Sequence, residues 1–342
     1  MFLALLVTRS ALASTILQWL IERATNSDSL QNVAMTSLLQ GNCGMPFGQA
    51  LDDSGQESTA LVFSDENYLK NVQPNRVPTW LDCVQKSWDG PRGGPSLLGE
   101  NGDLADNWTE QLGKGCQGLS DSVLSLQQAV HCMPLILQSH VLPVRLLLPQ
   151  SLDGGIPAYY AVYRSFELNG QRIPVALTIT KDSGTSFSAG VLNSALVTLA
   201  NQTTLNGIIH LVDQMMMPPI AIDESLRALG LKVPDLTEDT VVPRVGPSLV
   251  QLSRAERFTL FLPASSLQTG QIPENWARGA TVQDVLYVQT GPAGERIQRA
   301  TSLSNSELVL SVTPQGGARI NGRQIIRPNL LTIGGVIHVY QD

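Results

Sequence analysis

The sequence predicts an α+β fold that is built twice along one chain. Residues 205–212 and residues 333–340 share one pattern, at an offset of 128 positions throughout. Helical and strand-like patterns alternate elsewhere without βαβ regularity, which favours α+β over a parallel α/β sheet. The length of 342 residues, 43% of them hydrophobic, suits two domains of ordinary size.

The repeated segment predicts the closing strand of each domain. A tight turn at Asn206-Gly207, or at the Gly-Gly pair that ends in Gly335, feeds an apolar strand. His210 and His338 lie inside these strands among branched residues. A single histidine in such surroundings is more often a hydrogen-bonded core residue than a catalyst, so these five residues are predicted to form a structural motif.

The other elements follow from hydrophobic spacing. Residues 61–65 and 260–264 resemble each other and predict one short buried strand in each copy. Alternating patterns predict strands at 144–148, 159–166, 175–180, 308–312 and 319–326. Helical spacing predicts helices at 119–137 and 222–229.

Two domains of unequal length are expected. Domain 1 spans residues 14–218 and ends at consecutive prolines, and domain 2 spans residues 219–342. Residues 72–121 are rich in Gly, Pro, Asn and Asp and predict a surface insertion in domain 1. Residues 1–218 carry 11 Lys and Arg against 18 Asp and Glu, whereas residues 219–342 carry 11 of each. The two domains therefore have different surfaces.

Several features predict a secreted or cell-surface glycoprotein. Residues 1–13 read as a cleaved signal peptide, with the alternative that residues 12–23 form the first helix of the fold. Asn107 and Asn201 begin Asn-x-Thr glycosylation acceptors. Four widely spaced cysteines favour two disulfides over a zinc site, with three pairings possible: Cys43, Cys83, Cys116 and Cys132. No apolar run is long enough for a transmembrane helix.

The sequence shows no polar catalytic centre. The net charge of −7 argues against nucleic acid as a partner. His131 and His140 are nine positions apart, which matches no common metal-ligand spacing. No nucleophile elbow, phosphate loop or dinucleotide fingerprint is present. We therefore expect no metal and no cofactor and assign no catalytic residue, while the question of enzymatic turnover stays open.

These motifs resemble those of the fasciclin-type (fasciclin I) domain family. Residues 206–213, followed by Pro218-Pro219, look like its closing motif, and residues 335–339 look like the same motif again. Residues 63–66 resemble its opening motif, residues 135–143 its middle motif, and residues 321–326 fit the strand pair before the closing motif. The resemblance implies two tandem β-wedge domains with packed helices. It also implies a binding role in cell adhesion or matrix association, with a protein or a glycan as partner.

The middle motif departs from the adhesive pattern of the family. Animal members can engage integrins through a Tyr-His pair in this motif. The first copy has Ser139-His140 and the second has Tyr287-Val288, so neither keeps the pair. The resemblance therefore does not predict integrin-type adhesion.

The family also suggests an alternative function. Some fungal members assist the oxidative coupling or cyclisation of an aromatic polyketide in pigment biosynthesis, a form of secondary metabolism, beside a secreted oxidase. Such a role needs an apolar pocket with a few oriented polar groups. The candidate ligand-binding residues are His140, Tyr159, Tyr160 and Tyr163.

Overall fold

The computed structural model describes residues 14–25, 45–63, 136–149, 158–167, 172–181, 183–233, 257–271, 279–290, 295–314 and 316–342. The predicted signal peptide 1–13, the insertion 72–121 and most of the predicted helix 119–137 lie outside these residues. The described residues are mostly β-structure with helices present, so the expected α+β class is shown in this β-dominated form.

The described helices and strands fall into two sets. The helices are α1 (Ile16–Thr25), α2 (Met45–Asp52), α3 (Ile222–Ala228) and α4 (Ala264–Thr269). The first sheet contains β1 (Ser58–Phe63), β2 (Val141–Leu142), β3 (Ala158–Arg164), β4 (Pro174–Thr180), β5 (Gly184–Ser188), β6 (Ala195–Thr204) and β7 (Gly207–Val212). The second contains β8 (Phe258–Pro263), β9 (Thr281–Val282), β10 (Arg296–Thr301), β11 (Glu307–Val312), β12 (Ala318–Ile320), β13 (Arg323–Thr332) and β14 (Gly335–Tyr340).

The two sheets have the same topology. The first runs β2-β1-β7-β6-β5-β4-β3, and the second runs β9-β8-β14-β13-β12-β11-β10. In each sheet the first and last strands of the repeat pair in parallel, with Ser58 opposite Gly207 and Phe258 opposite Gly335. The duplication seen in the sequence therefore extends to topology and register.

Each sheet curls so that its two edges meet at one end. In the second repeat, Val282 forms a bridge with Ser302, and Leu303 N–H donates to the carbonyl of Thr281 at 2.9 Å. In the first repeat, Phe166 N–H donates to the carbonyl of Val141 at 2.8 Å. This closure gives both sheets a barrel-like form and protects their edges from pairing with other chains.

Helices cover the parallel strand pairs. Ile222 and Leu226 lie four positions apart on α3 and pack with Leu260 and Ile337 of the second sheet. The opposite side of that sheet holds a second cluster that includes Phe261 and Tyr340. The parallel pair β8/β14 is therefore buried on both faces, as its continuous apolar sequence predicts.

The chain divides into two compact units. One comprises Met1–Gln150, Arg164–Pro174 and Ser194–Pro218, and the other comprises Ser151–Tyr163, Val175–Asn193 and Pro219–Asp342. A boundary thus falls between Pro218 and Pro219, and two earlier segments group with the C-terminal residues.

Two predicted strands differ from the structure. Residues 319–326 are not one strand, because Asn321 and Gly322 adopt φ values of 47° and 81° and form the tight turn between β12 and β13. Residues 144–148 are extended but join no sheet. Their backbone groups bond instead to side chains, which hydrophobic spacing does not reveal.

Candidate functional site

An extended segment, residues 143–149, follows β2 and is held by side chains of the first sheet. The Oγ1 of Thr59 donates to the carbonyl of Val144 at 2.6 Å and accepts from Leu146 N–H at 2.9 Å. The Nε2 of His210 bonds to the carbonyl of Leu146 at 3.0 Å. These bonds replace the ladder that a regular strand would form.

Asn201 completes this clamp. Its Oδ1 accepts from Leu148 N–H at 2.8 Å, and its Nδ2 donates to the carbonyl of Leu148 at 2.8 Å. Its own N–H donates to Nδ1 of His210 at 3.1 Å. The residue has a φ of 59°, a left-handed conformation that asparagine tolerates better than most residues. We call Thr59, Asn201 and His210 the first clamp.

The second repeat reproduces this arrangement on residues 283–290. Thr259 bonds in the same way to the backbone of Asp284 and Leu286, at 2.6 and 2.7 Å. The side chain of Asn329 bonds to the N–H and the carbonyl of Val288. Its backbone N–H donates to Nδ1 of His338, and Nε2 of His338 bonds to the carbonyl of Leu286. We call Thr259, Asn329 and His338 the second clamp.

The contacts fix the protonation of both clamp histidines. A backbone N–H only donates, so Nδ1 of His210 and of His338 is the acceptor, and the proton lies on Nε2. Burial lowers the pKa of each ring to about 4, with a smaller opposing effect from the carbonyl bond. Both rings are therefore neutral at physiological pH, and each bridges two backbone groups.

His140 is neutral for the same reason and has the opposite tautomer. Its Nε2 accepts from Met216 N–H at 3.1 Å, so Nδ1 carries the proton and donates to the carbonyl of Ile136 at 2.7 Å. The ring meets Phe63 edge-on, with centroids 5.2 Å apart. Burial lowers its pKa to about 4. His140 is fully buried, and both ring nitrogens already have backbone partners.

Asn206 and Gly207 join the helices to the first sheet. Asn206 accepts from Ile16 N–H at 2.9 Å and donates to the carbonyls of Leu51 and Asp53, each at 2.9 Å. A Cβ on Gly207 would lie 1.9 Å from the carbonyl oxygen of Ser58. Gly335 is restricted in the same way, since its Cβ would lie 2.6 Å from the carbonyl oxygen of Phe258. Close strand approach therefore explains both glycines.

Comparison with known proteins gives one family-model match and one similar solved structure. The family model of the fasciclin domain matches residues 117–218, which include the first clamp apart from Thr59. The chain contains a fasciclin domain. A solved FAS1 domain pair from the insect cell adhesion molecule Fasciclin I is similar at 13% identity, over 89% of this chain and 93% of that one, with a TM-score of 0.27. No curated protein matches the sequence.

Strand β3 places the three predicted ligand-binding tyrosines on two opposite faces. Tyr159 and Tyr163 share one face of β3, and their hydroxyls are hydrogen-bonded. Burial raises the pKa of Tyr163, and its neighbour Tyr159 raises it further. Tyr160 lies on the opposite face and packs against the Phe261 cluster. Burial also raises the pKa of Tyr160.

The predicted covalent sites have different outcomes. Cys43, Cys83, Cys116, Cys132 and Asn107 lie outside the described residues. Asn201 lies within them, and both polar atoms of its side chain bond to the backbone of Leu148. The geometry thus gives Asn201 a structural role, which the sequence showed only through its position nine residues before His210, the spacing that also separates Asn329 from His338.

The register corrects the comparison of the middle motifs. Leu61 N–H donates to the carbonyl of His140, and Phe261 N–H donates to that of Ala280. The counterpart of Ser139-His140 is therefore Gly279-Ala280. Tyr287-Val288 instead corresponds to Leu147-Leu148, because Asn329 and Asn201 bond to Val288 and Leu148 in the same way. Neither copy of the motif contains a Tyr-His pair.

The first repeat exposes apolar side chains that the second repeat replaces. Val144, Leu147, Leu196 and Leu199 are exposed, and Leu147 retains 61% of its full accessibility. Their counterparts by register are Asp284, Tyr287, Gln324 and Arg327. We call the four exposed side chains the apolar surface of the first repeat. Val144 and Leu147 lie on one segment and Leu196 and Leu199 on β6, and exposed apolar side chains of this kind often mark an interaction site.

The described residues reveal two further facts about possible sites. No three His, Cys, Asp or Glu side chains among them are placed to hold one metal ion. None of the helices described in this part of the chain has the length and apolarity needed to span a membrane.

Proposed function

We propose that this protein is a secreted, tandem fasciclin-type binding protein or scaffold that associates with a cell surface or extracellular matrix. The observation that carries the proposal is the apolar surface of the first repeat, on Val144, Leu147, Leu196 and Leu199. The comparisons support an adhesion or binding role through the fasciclin domain. The oxidising extracellular route is supported by the four cysteines and by the Asn-x-Thr sequence at Asn107.

The first clamp makes this surface suitable for binding. Thr59, Asn201 and His210 fix the backbone of residues 144–148 through five hydrogen-bonding contacts. A sixth, from Asn201 N–H to His210, joins two of the clamp residues to each other. Leu147 lies between two clamped residues and faces solvent. An ordered backbone loses little conformational entropy when a partner binds, so more of the contact energy appears as affinity.

The titratable groups support binding over polar catalysis. The three described histidines are neutral, and each ring nitrogen has a backbone partner. A general base needs a nitrogen or carboxylate within reach of a substrate proton. These three rings instead stabilise the framework that presents the apolar surface.

A binding assay with a matched variant tests the proposal. The purified secreted chain is immobilised and exposed to matrix proteins, cell-wall glycans and whole cells. We expect saturable binding to one of these that Leu147→Asp weakens at least tenfold. Leu205→Asp is the control, because Leu205 is exposed in the turn between β6 and β7, outside the apolar surface. Equal binding by both variants, or no binding at all, would contradict the proposal.

The second candidate function is assistance to an oxidase that couples or cyclises an aromatic polyketide. The specific observation in its favour is the half-buried, hydrogen-bonded pair Tyr159–Tyr163. Such a pair offers both an aromatic face and an oriented hydroxyl to a phenolic ligand. We expect quenching of tryptophan fluorescence by a naphthol, and a loss of that quenching in Tyr163→Phe. Tyr340→Phe is the control, because Tyr340 belongs to the second repeat. Tryptophan fluorescence that stays unchanged when the naphthol is added argues against this candidate.

A further inference from the structure

We propose that the chain associates with a second copy of itself head to tail, through the outer face of β10–β12 on one copy and residues 143–147 on the other. The outer face consists of Ile297 and Arg299 on β10, Val309 and Ser311 on β11, and Arg319 on β12. This inference rests on the proposed function, because it names one partner for the surface that contains Leu147.

The register of the second sheet defines the outer face. Ile297 lies opposite Ser311, which lies opposite Arg319, and Arg299 lies opposite Val309. Residues directly opposite in antiparallel strands project to the same side. The intervening Leu308 and Leu310 project into the core on the other side.

The corresponding face of the first repeat is already covered. Ser165 exchanges hydrogen bonds with the backbone of Ile173, and Ser302 does the same with Ser306, so the two serines correspond. Five and three positions before them, Tyr160 and Val162 therefore correspond to Ile297 and Arg299. Within its compact unit, Val162 packs beside Ala176 on Leu331 and Val336. Tyr160 packs on the Phe261 cluster, and Thr290 N–H donates to its carbonyl at 3.0 Å. In the first repeat, this face is thus an occupied packing surface.

The second repeat leaves the same face open. Ile297 retains 54% of its full accessibility, and Arg299 and Arg319 are exposed. A large apolar side chain between two arginines is unusual for a sheet face that only meets water, whereas arginine and apolar residues are enriched in protein interfaces. The open outer face of the second repeat therefore has the residue types of a packing surface, like its covered counterpart in the first repeat.

The complementary half is open on the first repeat. Val285 and Tyr287, which follow β9 in the second clamp segment, pack against the same cluster as Val162. Their counterparts in the first repeat are Arg145 and Leu147. Leu147 is more exposed than Tyr287, and Val144 beside it is exposed as well. The counterparts of Leu331 and Val336 are Thr203, which is half-buried, and Ile208, which is buried. The part of this surface that is open in the first repeat is therefore residues 143–147.

Charge also favours this pairing. Asp52, Asp53 and Glu57 are exposed, and Glu57 lies 3.7 Å from Arg145 in the open segment. The outer face carries Arg299 and Arg319, with Glu307 as the acid bonded to Arg299. Glu57 beside one half and the two arginines of the other half favour a head-to-tail contact between two copies. Such a contact uses two different patches, so it propagates from copy to copy and does not close as a twofold dimer.

Sedimentation of the purified chain over a range of concentrations tests this proposal. We expect the weight-average mass to reach at least twice the monomer mass, and to fall as salt is added because charged groups contribute. Ile297→Asp and Leu147→Asp should each stay monomeric alone. An equimolar mixture of the two variants should form a complex of two chains and no larger, because one intact outer face and one intact segment remain. Leu205→Asp is the control and should assemble like the parent chain.

The outcomes separate this inference from the proposed function. A parent chain that stays monomeric, or association that survives Ile297→Asp, overturns the inference. A mixture of the two variants that stays monomeric also overturns it, because a head-to-tail contact must be restored by mixing. Ile297 lies outside the apolar surface, so matrix or cell binding that persists in Ile297→Asp leaves the proposed function standing. Circular dichroism of each variant checks that the fold is retained.

Discussion

Asn329 donates its backbone N–H to Nδ1 of His338 at 3.1 Å, and Asn201 does the same to His210 at the same distance. Both asparagines have a positive φ, at 54° and 59°, and both lie next to register shifts in the ladder between the last two strands of their repeat. The bulge turns the asparagine towards the extended segment. The histidine then satisfies the N–H that the bulge removes from the ladder.

Substitution of Asn329 should separate its two contributions. Asn329→Gly keeps the left-handed backbone but leaves both buried backbone groups of Val288 unbonded, which should cost about 2–4 kcal/mol in the free energy of unfolding. Asn329→Ala should cost about 1 kcal/mol more, because alanine adds backbone strain at positive φ. Urea unfolding followed by circular dichroism measures both. Equal stability of the glycine variant and the parent would show that the side-chain bonds are unimportant.

Stability should fall as the pH is lowered from about 6.5 to about 4. The folded-state pKa values of His140, His210 and His338 are each lowered from 6.5 to about 4. Over this window the unfolded chain binds more protons than the folded chain, so the free energy of unfolding rises with pH. Each ring contributes on the order of 3 kcal/mol across the full window. Urea midpoints at successive pH values test this, and a flat profile between pH 4 and 6.5 would contradict it.

The tautomers provide a spectroscopic prediction. His210 and His338 should carry their proton on Nε2, and His140 should carry it on Nδ1, because a backbone N–H donates to the other nitrogen in each ring. Nitrogen-15 shifts of the imidazole rings distinguish the two forms. We expect two rings of one type and one of the other to remain neutral at pH 6. A protonated ring among these three at that pH would be inconsistent with the structure.

Gly207 should tolerate no side chain. Gly207→Ala places a methyl group 1.9 Å from the backbone oxygen of Ser58, so β1 and β7 must move apart. We expect a loss of about 2–4 kcal/mol in the free energy of unfolding, comparable with severe overpacking. Gly322→Ala is the control, since its Cβ would meet nothing within 4 Å and only the positive φ of 81° is strained. Comparable losses in the two variants would rule out the close strand approach as the cause.

Residues 219–342 should be less stable alone than within the full chain. Val162 and Ala176 pack on Leu331 and Val336, and the isolated segment would expose that surface. In the full chain, Val162→Asp should also lower the thermal midpoint of unfolding, because it places an unpaired carboxylate in this apolar contact. Thermal melts of the isolated segment and of the variant measure these effects. An isolated segment with the same midpoint as the full chain would contradict the prediction.

Local pattern was sufficient for much of this fold. The segment at 205–212 and its copy at 333–340 predicted both closing strands, and both form β7 and β14 with the histidines buried inside. The strand predicted at 175–180 and the helix predicted at 222–229 form β4 and α3 within one residue at each end. Alternation and apolar spacing are properties of neighbouring residues, so they can be identified from the sequence alone.

Tertiary structure alone decided what the extended segments and the tyrosines do. Residues 144–148 alternate like a strand, but Thr59, Asn201 and His210 bind their backbone from distant positions in the chain. Tyr159 and Tyr160 are adjacent in sequence and lie on opposite faces of β3, with different neighbours. The sequence by itself determined that the chain is a duplicated, mostly β-structured protein with buried histidines, because burial and periodicity are local signals. Which side chains meet across the fold depends on chain closure over 53 or more residues, and only the folded backbone settles that.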